Sequence, residues 1–114
     1  MVVLNAGDGK IIGTLPIGTG VDGAVFNPAT MEAFSSQGDG TLTVVKENSP
    51  TSFVVTQNVK TQRSAKTLTL DAKTNHILLI AAEYTPPPTP PPAGGRGGRG
   101  TMVPDSFAIL VVGK

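Results

Sequence analysis

The residues able to do chemistry in this chain are few, and most of them stand beside glycine or proline. His76 is the one histidine, and Asp71 lies shortly before it, close enough for a carboxylate to orient an imidazole acting as general base. No Ser or Cys nucleophile sits in a recognisable motif around them, so a solvated surface histidine is the plainer reading. Gly18-Thr19-Gly20-Val21-Asp22-Gly23 has the Gly-x-Gly-x-x-Gly spacing of dinucleotide loops. That motif works by aiming pyrophosphate at a helix N-terminus, and here a strand follows instead. Asp8-Gly9 and Gly38-Asp39-Gly40 suggest a calcium loop or a phosphate cradle. The alternating carboxylates with a distant Glu are missing, as is a Gly-x-x-x-x-Gly-Lys-Ser/Thr run, so both read as hairpin turns. Gly-Arg-Gly-Gly-Arg-Gly around Arg96 and Arg99 resembles segments that hold RNA by guanidinium stacking and phosphate contacts. With two arginines and no interleaved aromatics, a flexible spacer is expected there, and nucleic acid is not an expected partner.

Composition narrows the chemistry further. The 114 residues carry a formal net charge of +1, which creates no general field for nucleic acid or anionic membrane. There is no cysteine, so disulfides and thiolate metal sites are excluded, and a single histidine excludes a multi-histidine centre. No cofactor is expected. Hydrophobic residues make up 39% and aromatics only 4%, so a core must be built from Val, Ile, Leu and Ala, which suit pleated, half-buried surfaces. No apolar run approaches the roughly 20 residues needed to cross a bilayer. The start, Val2-Val3-Leu4, lacks the features of a secretory signal, so the product as written is expected to be soluble, cytoplasmic and without a membrane partner.

The elements that must position these residues are short strands. Gly and Pro punctuate the chain about every 8 to 12 residues without a 3.6-residue period, which predicts an all-β meander without helices. Strands are expected at Val2–Leu4, Lys10–Leu15, Ala24–Phe26, Met31–Ser36, Thr41–Lys46, Ser52–Val59, Ala65–Leu70, His76–Ala82 and Phe107–Val112. The order repeats after about 40 residues, the period of propeller blades or a related β-array. Phe26 maps to Leu70, Asn27 to Asp71, Thr30 to Thr74, Phe34 to Leu78, Asp39 to Asp105 and Val44 to Leu110. Thr85–Gly100, rich in Pro and Gly, interrupts the second copy. Such a tract resists packing and pairing, and a mobile, disordered insertion within 85–104 is expected.

Asp8-Gly9-Lys10-Ile11-Ile12-Gly13-Thr14-Leu15-Pro16-Ile17-Gly18, then Val21-Asp22-Gly23-Ala24-Val25-Phe26-Asn27-Pro28, resembles the bacterial YVTN-type β-propeller repeat proteins. Gly38-Asp39-Gly40-Thr41-Leu42-Thr43-Val44-Val45 does so too. The resemblance implies antiparallel four-stranded blades with strands a to d running outward from an axis. The chain then reads c, d, then a, b, c, d, then a, b, c, like the C-terminal fragment of a longer propeller. It comprises a blade remnant (1–16), a blade (21–59) and an incomplete blade (65–112). Relatives of this type are often exported.

About two blades cannot surround an axis, and they leave faces and edges open. The expectation is a homo-oligomer, dimer, trimer or tetramer, whose copies complete one another's blades and close the ring; two-blade units disfavour a seven-bladed ring. Nine strands against the eight of two blades leave one surplus, either Val2–Leu4 or Phe107–Val112, which must be added, exchanged or left unpaired. In a meander, alternate connections share one end of the strands. That end is expected to gather Asp22, Asp39, Arg63, Glu83, Tyr84, Arg96 and Arg99, and so to be the binding face, with an unidentified protein as a further expected partner. The reading is a non-enzymatic scaffold or interaction module. The alternative is a ligand-binding protein or enzyme whose site forms on the ring axis from Asp22 and Arg63 of each copy.

Overall fold

The computed structural model describes residues 1–86 and 100–113. The run from Pro87 to Arg99, and with it Arg96, Arg99 and most of the expected insertion, lies outside the described residues. The strands are β1 (Val2–Leu4), β2 (Ile11–Thr14), β3 (Val21–Asn27), β4 (Glu32–Gln37), β5 (Thr41–Ser49), β6 (Ser52–Lys60), β7 (Leu68–Asp71), β8 (His76–Ala81) and β9 (Ala108–Val112). Among the described residues there is no helix. The strands form three antiparallel meanders in sequence order, β1-β2, β3-β4-β5-β6 and β7-β8-β9.

Turn chemistry sets the hairpins. Gly9 has φ 74°, a left-handed value that a glycine adopts freely, and Asp8 accepts from the Lys10 N–H at 2.9 Å to close the β1–β2 turn. At the β3–β4 turn Asn27 accepts from the Ala29 N–H at 3.0 Å, and at the β7–β8 turn Asp71 accepts from the Lys73 N–H at 3.0 Å. These equivalent side chains form the same local ring, in which an Asx oxygen captures the N–H two residues on.

Several element bounds differ from the sequence-based expectation. Strand β3 starts at Val21 because Val21 already pairs with Gln37. Met31 is not in β4: its φ is 56°, outside the extended region, and it completes the turn. Strand β5 runs on to Ser49 because the ladder continues through Glu47↔Phe53 and Ser49↔Ser52. Ala65–Thr67 stay outside β7, since Ser64 at φ 73° and the Ala65 N–H to Gln62 carbonyl bond of 3.1 Å form a turn there. The two ends of the expected disordered insertion are ordered. Tyr84 bridges Met102, and Thr85 N–H donates to the Thr101 carbonyl at 2.9 Å, so the tract springs from a paired base.

The repeat mapping also slips by one at its end. Phe34 pairs with Val44, whereas its equivalent Leu78 pairs with Val111, so Val44 corresponds to Val111 and not to Leu110. One residue of slip turns the opposite face outward. Val44 and Val111 hold equivalent places in the pairing but differ in exposure, because the face of the three-stranded sheet that carries Val111 is uncovered. Ile109 and Val111 are each 60% exposed, whereas Leu110 and Val112 pack inward.

The core lies between the four-stranded and three-stranded sheets. Phe34, Leu42 and Val44 meet Ile77, Leu79 and Ala81, with Val25, Val59, Leu68, Leu70, Leu110 and Val112 around them. Full burial of one such aliphatic side chain stabilises by about 1.5–3 kcal/mol. The first strands of the two sheets, β3 and β7, run side by side. Gly23 permits this approach, because a Cβ there would strike the Leu68 side chain. The other face of the four-stranded sheet carries a buried polar ladder. Gln37, fully enclosed, donates to Ser35 Oγ at 2.6 Å and accepts from Thr41 Oγ1 at 2.9 Å and Thr43 Oγ1 at 3.4 Å. Asn58 on β6 extends it through a 2.9 Å bond with Thr43.

Candidate functional site

The β2–β3, β4–β5 and β6–β7 connections converge at one end of the sheets, as alternation in a meander requires. They are knit together by backbone bonds. Gly38 N–H donates to Gly20 O at 2.8 Å, Thr61 N–H to Gly40 O at 2.8 Å and Ser64 N–H to Gly38 O at 3.1 Å. Gly40, with φ 92°, faces the Arg63 backbone so closely that an added Cβ would lie 3.3 Å from Arg63 N.

Asp39 crowns this junction. Its carboxylate accepts from Thr19 N–H at 2.8 Å, Thr19 Oγ1 at 3.4 Å and Thr41 Oγ1 at 2.6 Å. The Thr41 hydroxyl, followed by the Thr19 N–H, holds the Asp39 carboxyl below the usual carboxylate range. Such bonds favour the ionised form. Thr41 therefore stands between two acceptors, the Asp39 carboxylate and the Gln37 amide oxygen at 2.9 Å. A hydroxyl has one proton to give, and an ionised oxygen is the stronger acceptor.

The other expected residues divide into two groups. Asp22 accepts from Thr67 Oγ1 at 2.9 Å, which ties β3 to the β6–β7 loop. Asp22 and the half-buried Tyr84 line one groove of about 420 Å³ with Lys66, Thr67, Ile80 and Phe107. Glu83 is exposed beside that groove and is fixed through its backbone: its N–H donates to Ser106 Oγ at 3.0 Å and its carbonyl accepts from Val103 N–H at 2.8 Å. Arg63 is exposed on the knitted loops, next to the Asp39 turn, and its chain neighbour Ser64 lines the groove. Asp22 and Tyr84 are thus brought together, while Asp39 and Arg63 belong to a neighbouring loop cluster.

At the opposite end, His76 pairs in register with Asp71 across the β7–β8 turn. The Lys73 N–H, then the Thr74 hydroxyl, and in smaller measure the charge of His76 hold the Asp71 carboxyl below the usual range. Asp71 caps its own turn. Asn27, nearly fully buried, joins the sheets there by donating from Nδ2 to Asn75 Oδ1 at 3.0 Å.

Of two further apolar features, the first went unmarked in the sequence reading and the second, open sheet faces, was expected there. The first is a cleft of about 440 Å³ between the sheets, lined by Phe34, Val44, Val59, Ile77 and Val112. The signal was available, because β9 has no successor equivalent to β6 and the cleft lies where that strand would follow. The other is the apolar surface at both ends of the stack. Phe107, Ile109, Val111 and Ile80 are exposed on the three-stranded sheet, and Val2, Leu4 and Ile11 on the hairpin. Among the described residues no group of three or more His, Cys, Asp or Glu side chains could hold a metal, and no helix is long and apolar enough to cross a membrane. No protein-family model, no curated protein and no solved structure matches the chain.

Proposed function

We propose that the chain is a non-catalytic scaffold of the β-propeller type that assembles with copies of itself and presents its loop-rich end to a protein partner. On this reading, which the YVTN-type resemblance motivates, β3–β6 is a whole blade, β7–β9 a blade without its outer strand, and β1–β2 the outer pair of another. The observation that carries it is how the sheets neighbour one another: first strand lies against first strand, β3 with β7, and last against last, β2 with β6. Radially stacked blades require that order.

Open apolar faces on both end sheets supply the reason to assemble. Exposed Phe107, Ile109, Val111 and Ile80 present on the order of 400 Å², near what a whole monomer usually leaves as its largest patch. Light scattering coupled to size exclusion, run across a hundredfold range of concentration, tests the proposal. A mass that is a small multiple of 11.6 kDa is expected. A monomer at every concentration refutes it.

A further inference from the structure

The register identifies which strands meet in that assembly, and the inference drawn from it rests on the self-assembly reading above. In the whole sheet, Leu42 stands opposite Val59 and Val44 opposite Gln57, and β6 then carries one extra residue before Val55 meets Val45. The hairpin repeats this pattern. Leu15 N–H donates to Met1 O at 2.8 Å, Val3 stands opposite Gly13, and β2 then carries one extra residue before Ile11 meets Leu4. Strand β1 is therefore the equivalent of β5, and β2 of β6. Strand β9 is also an equivalent of β5, with Val111 at the place of Val44. Besides β5 in the whole sheet, the chain thus holds two further third strands, β1 and β9, and a single β2 to pair with either in an open sheet.

Strand β1 is the weaker claimant. It holds β2 through three register pairs interrupted by a shift, whereas β5 holds β6 through eight. Among the described residues strand β9 has β8 along one edge and no strand along the other, and an open edge of this kind recruits a further strand.

The faces agree with the edges. Inside one chain, the back of the three-stranded sheet (Leu70, Ile77, Leu79) packs on the front of the four-stranded sheet (Val25, Phe34, Val44). The front of the three-stranded sheet, with Ile80, Ile109 and Val111, is open. So is the inner part of the back of the four-stranded sheet, where Phe26, the equivalent of the covered Leu70, is 42% exposed beside Ala24. The second face lacks the kind of sheet that the first face belongs to, and neither carries an ionisable side chain at these positions.

We infer that β9 of one copy takes the place of β1 beside β2 of a second copy, and so lays Ile80, Ile109 and Val111 of the first on Ala24 and Phe26 of the second. The occupant of both open faces is another molecule of this chain. Two copies joined reciprocally make four four-stranded sheets, with β1 released from each.

The absence of native cysteine gives a clean test. Val111→Cys and Gly13→Cys chains are prepared separately, one of them isotope-labelled, then mixed and oxidised. A Cβ at Gly13 meets nothing within 4 Å, and Val111 is exposed, so both variants keep the fold. Mixed disulfides between labelled and unlabelled chains are expected to dominate. Val111→Asp is expected to weaken self-association at least tenfold, whereas Val3→Asp, at the equivalent place in β1, is expected to strengthen it by removing the competitor. If association persists but Val111→Cys couples mainly to itself, or if Val3→Asp weakens association as Val111→Asp does, the strand exchange is wrong and the scaffold reading stands. If the parent chain stays monomeric throughout, both fall.

Discussion

Replacing Gln37 by Ala probes the ladder that fixes the loop-rich end to the four-stranded sheet. Gln37 is fully enclosed, and its amide gives one hydrogen bond to Ser35 and receives from Thr41 and Thr43. The Thr41 proton is held chiefly by Asp39 and the Thr43 proton by Asn58, so the bond to Ser35 is the one that counts in practice. Ser35 and Thr43 are themselves buried, and the substitution leaves their hydroxyls facing a void. A buried polar group left without a partner costs about 1–3 kcal/mol. Ser35 is the one left so, since the Thr43 hydroxyl retains Asn58, which puts the total at about 2 kcal/mol. For a domain of this size that lowers the melting temperature by roughly 8 °C, at about 4 °C per kcal/mol. Urea unfolding followed by circular dichroism measures the loss, at one fixed protein concentration because association adds to apparent stability. Gln57→Ala, at an exposed residue of β6, is the control and is expected to stay within about 0.5 kcal/mol of the parent. A loss below about 1 kcal/mol for Gln37→Ala would mean that the ladder does not hold the sheet, and the argument from buried amide satisfaction would be refuted.

Met31 occupies a left-handed conformation, φ 56°, that its repeat equivalent Asn75 also adopts at φ 59°. Met31→Asn is expected to raise unfolding free energy by about 0.5–1 kcal/mol, and an unchanged urea midpoint would contradict it. Asp39 has its carboxyl held low by Thr41 and Thr19, so its contribution to stability is complete above the unfolded-state value and is lost as pH falls through the lower folded value. Asp39→Asn should therefore flatten the acid limb of a stability-versus-pH curve and leave the slope near neutrality alone; an unaltered acid limb counts against the clamp. Gly23→Val would drive a side chain into Leu68 between β3 and β7 and is expected to cost about 1–3 kcal/mol, read as a lower thermal midpoint. A parent-like midpoint would show that the two strands part without cost.

Much of the fold was legible because its punctuation is chemical. Asp8-Gly9, Asn27-Pro28 and Gly38-Asp39-Gly40 carry their own turn geometry, and the strands between them keep an apolar alternation. What escaped the sequence was set by partners far along the chain. Met31 reads as a strand residue, yet the turn forces it left-handed. Glu47-Asn48-Ser49 reads as a turn, yet Phe53 and Ser52 extend the ladder to it. The placing of Val44 against Leu110 rather than Val111 came from counting across the long insertion, where spacing carries no register. At the loop-rich end, the shared position of Asp22, Asp39 and Arg63 followed from alternation alone. That Asp39 spends its acceptors on Thr19 and Thr41, and that Asp22 shares a groove with Tyr84, depends on loop conformations that no local pattern encodes.

The lone hydrogen on Thr41 gives the molecule a link between solvent and interior. While the outer carboxyl is charged it keeps that hydrogen, and the enclosed amide of Gln37 relies on its remaining neighbours. Once acid neutralises the outer group, the hydroxyl can turn inward and tighten the ladder as the loop clamp relaxes. Neutralising the rim carboxyl is thereby expected to pass that hydrogen from the outer acceptor to the inner one.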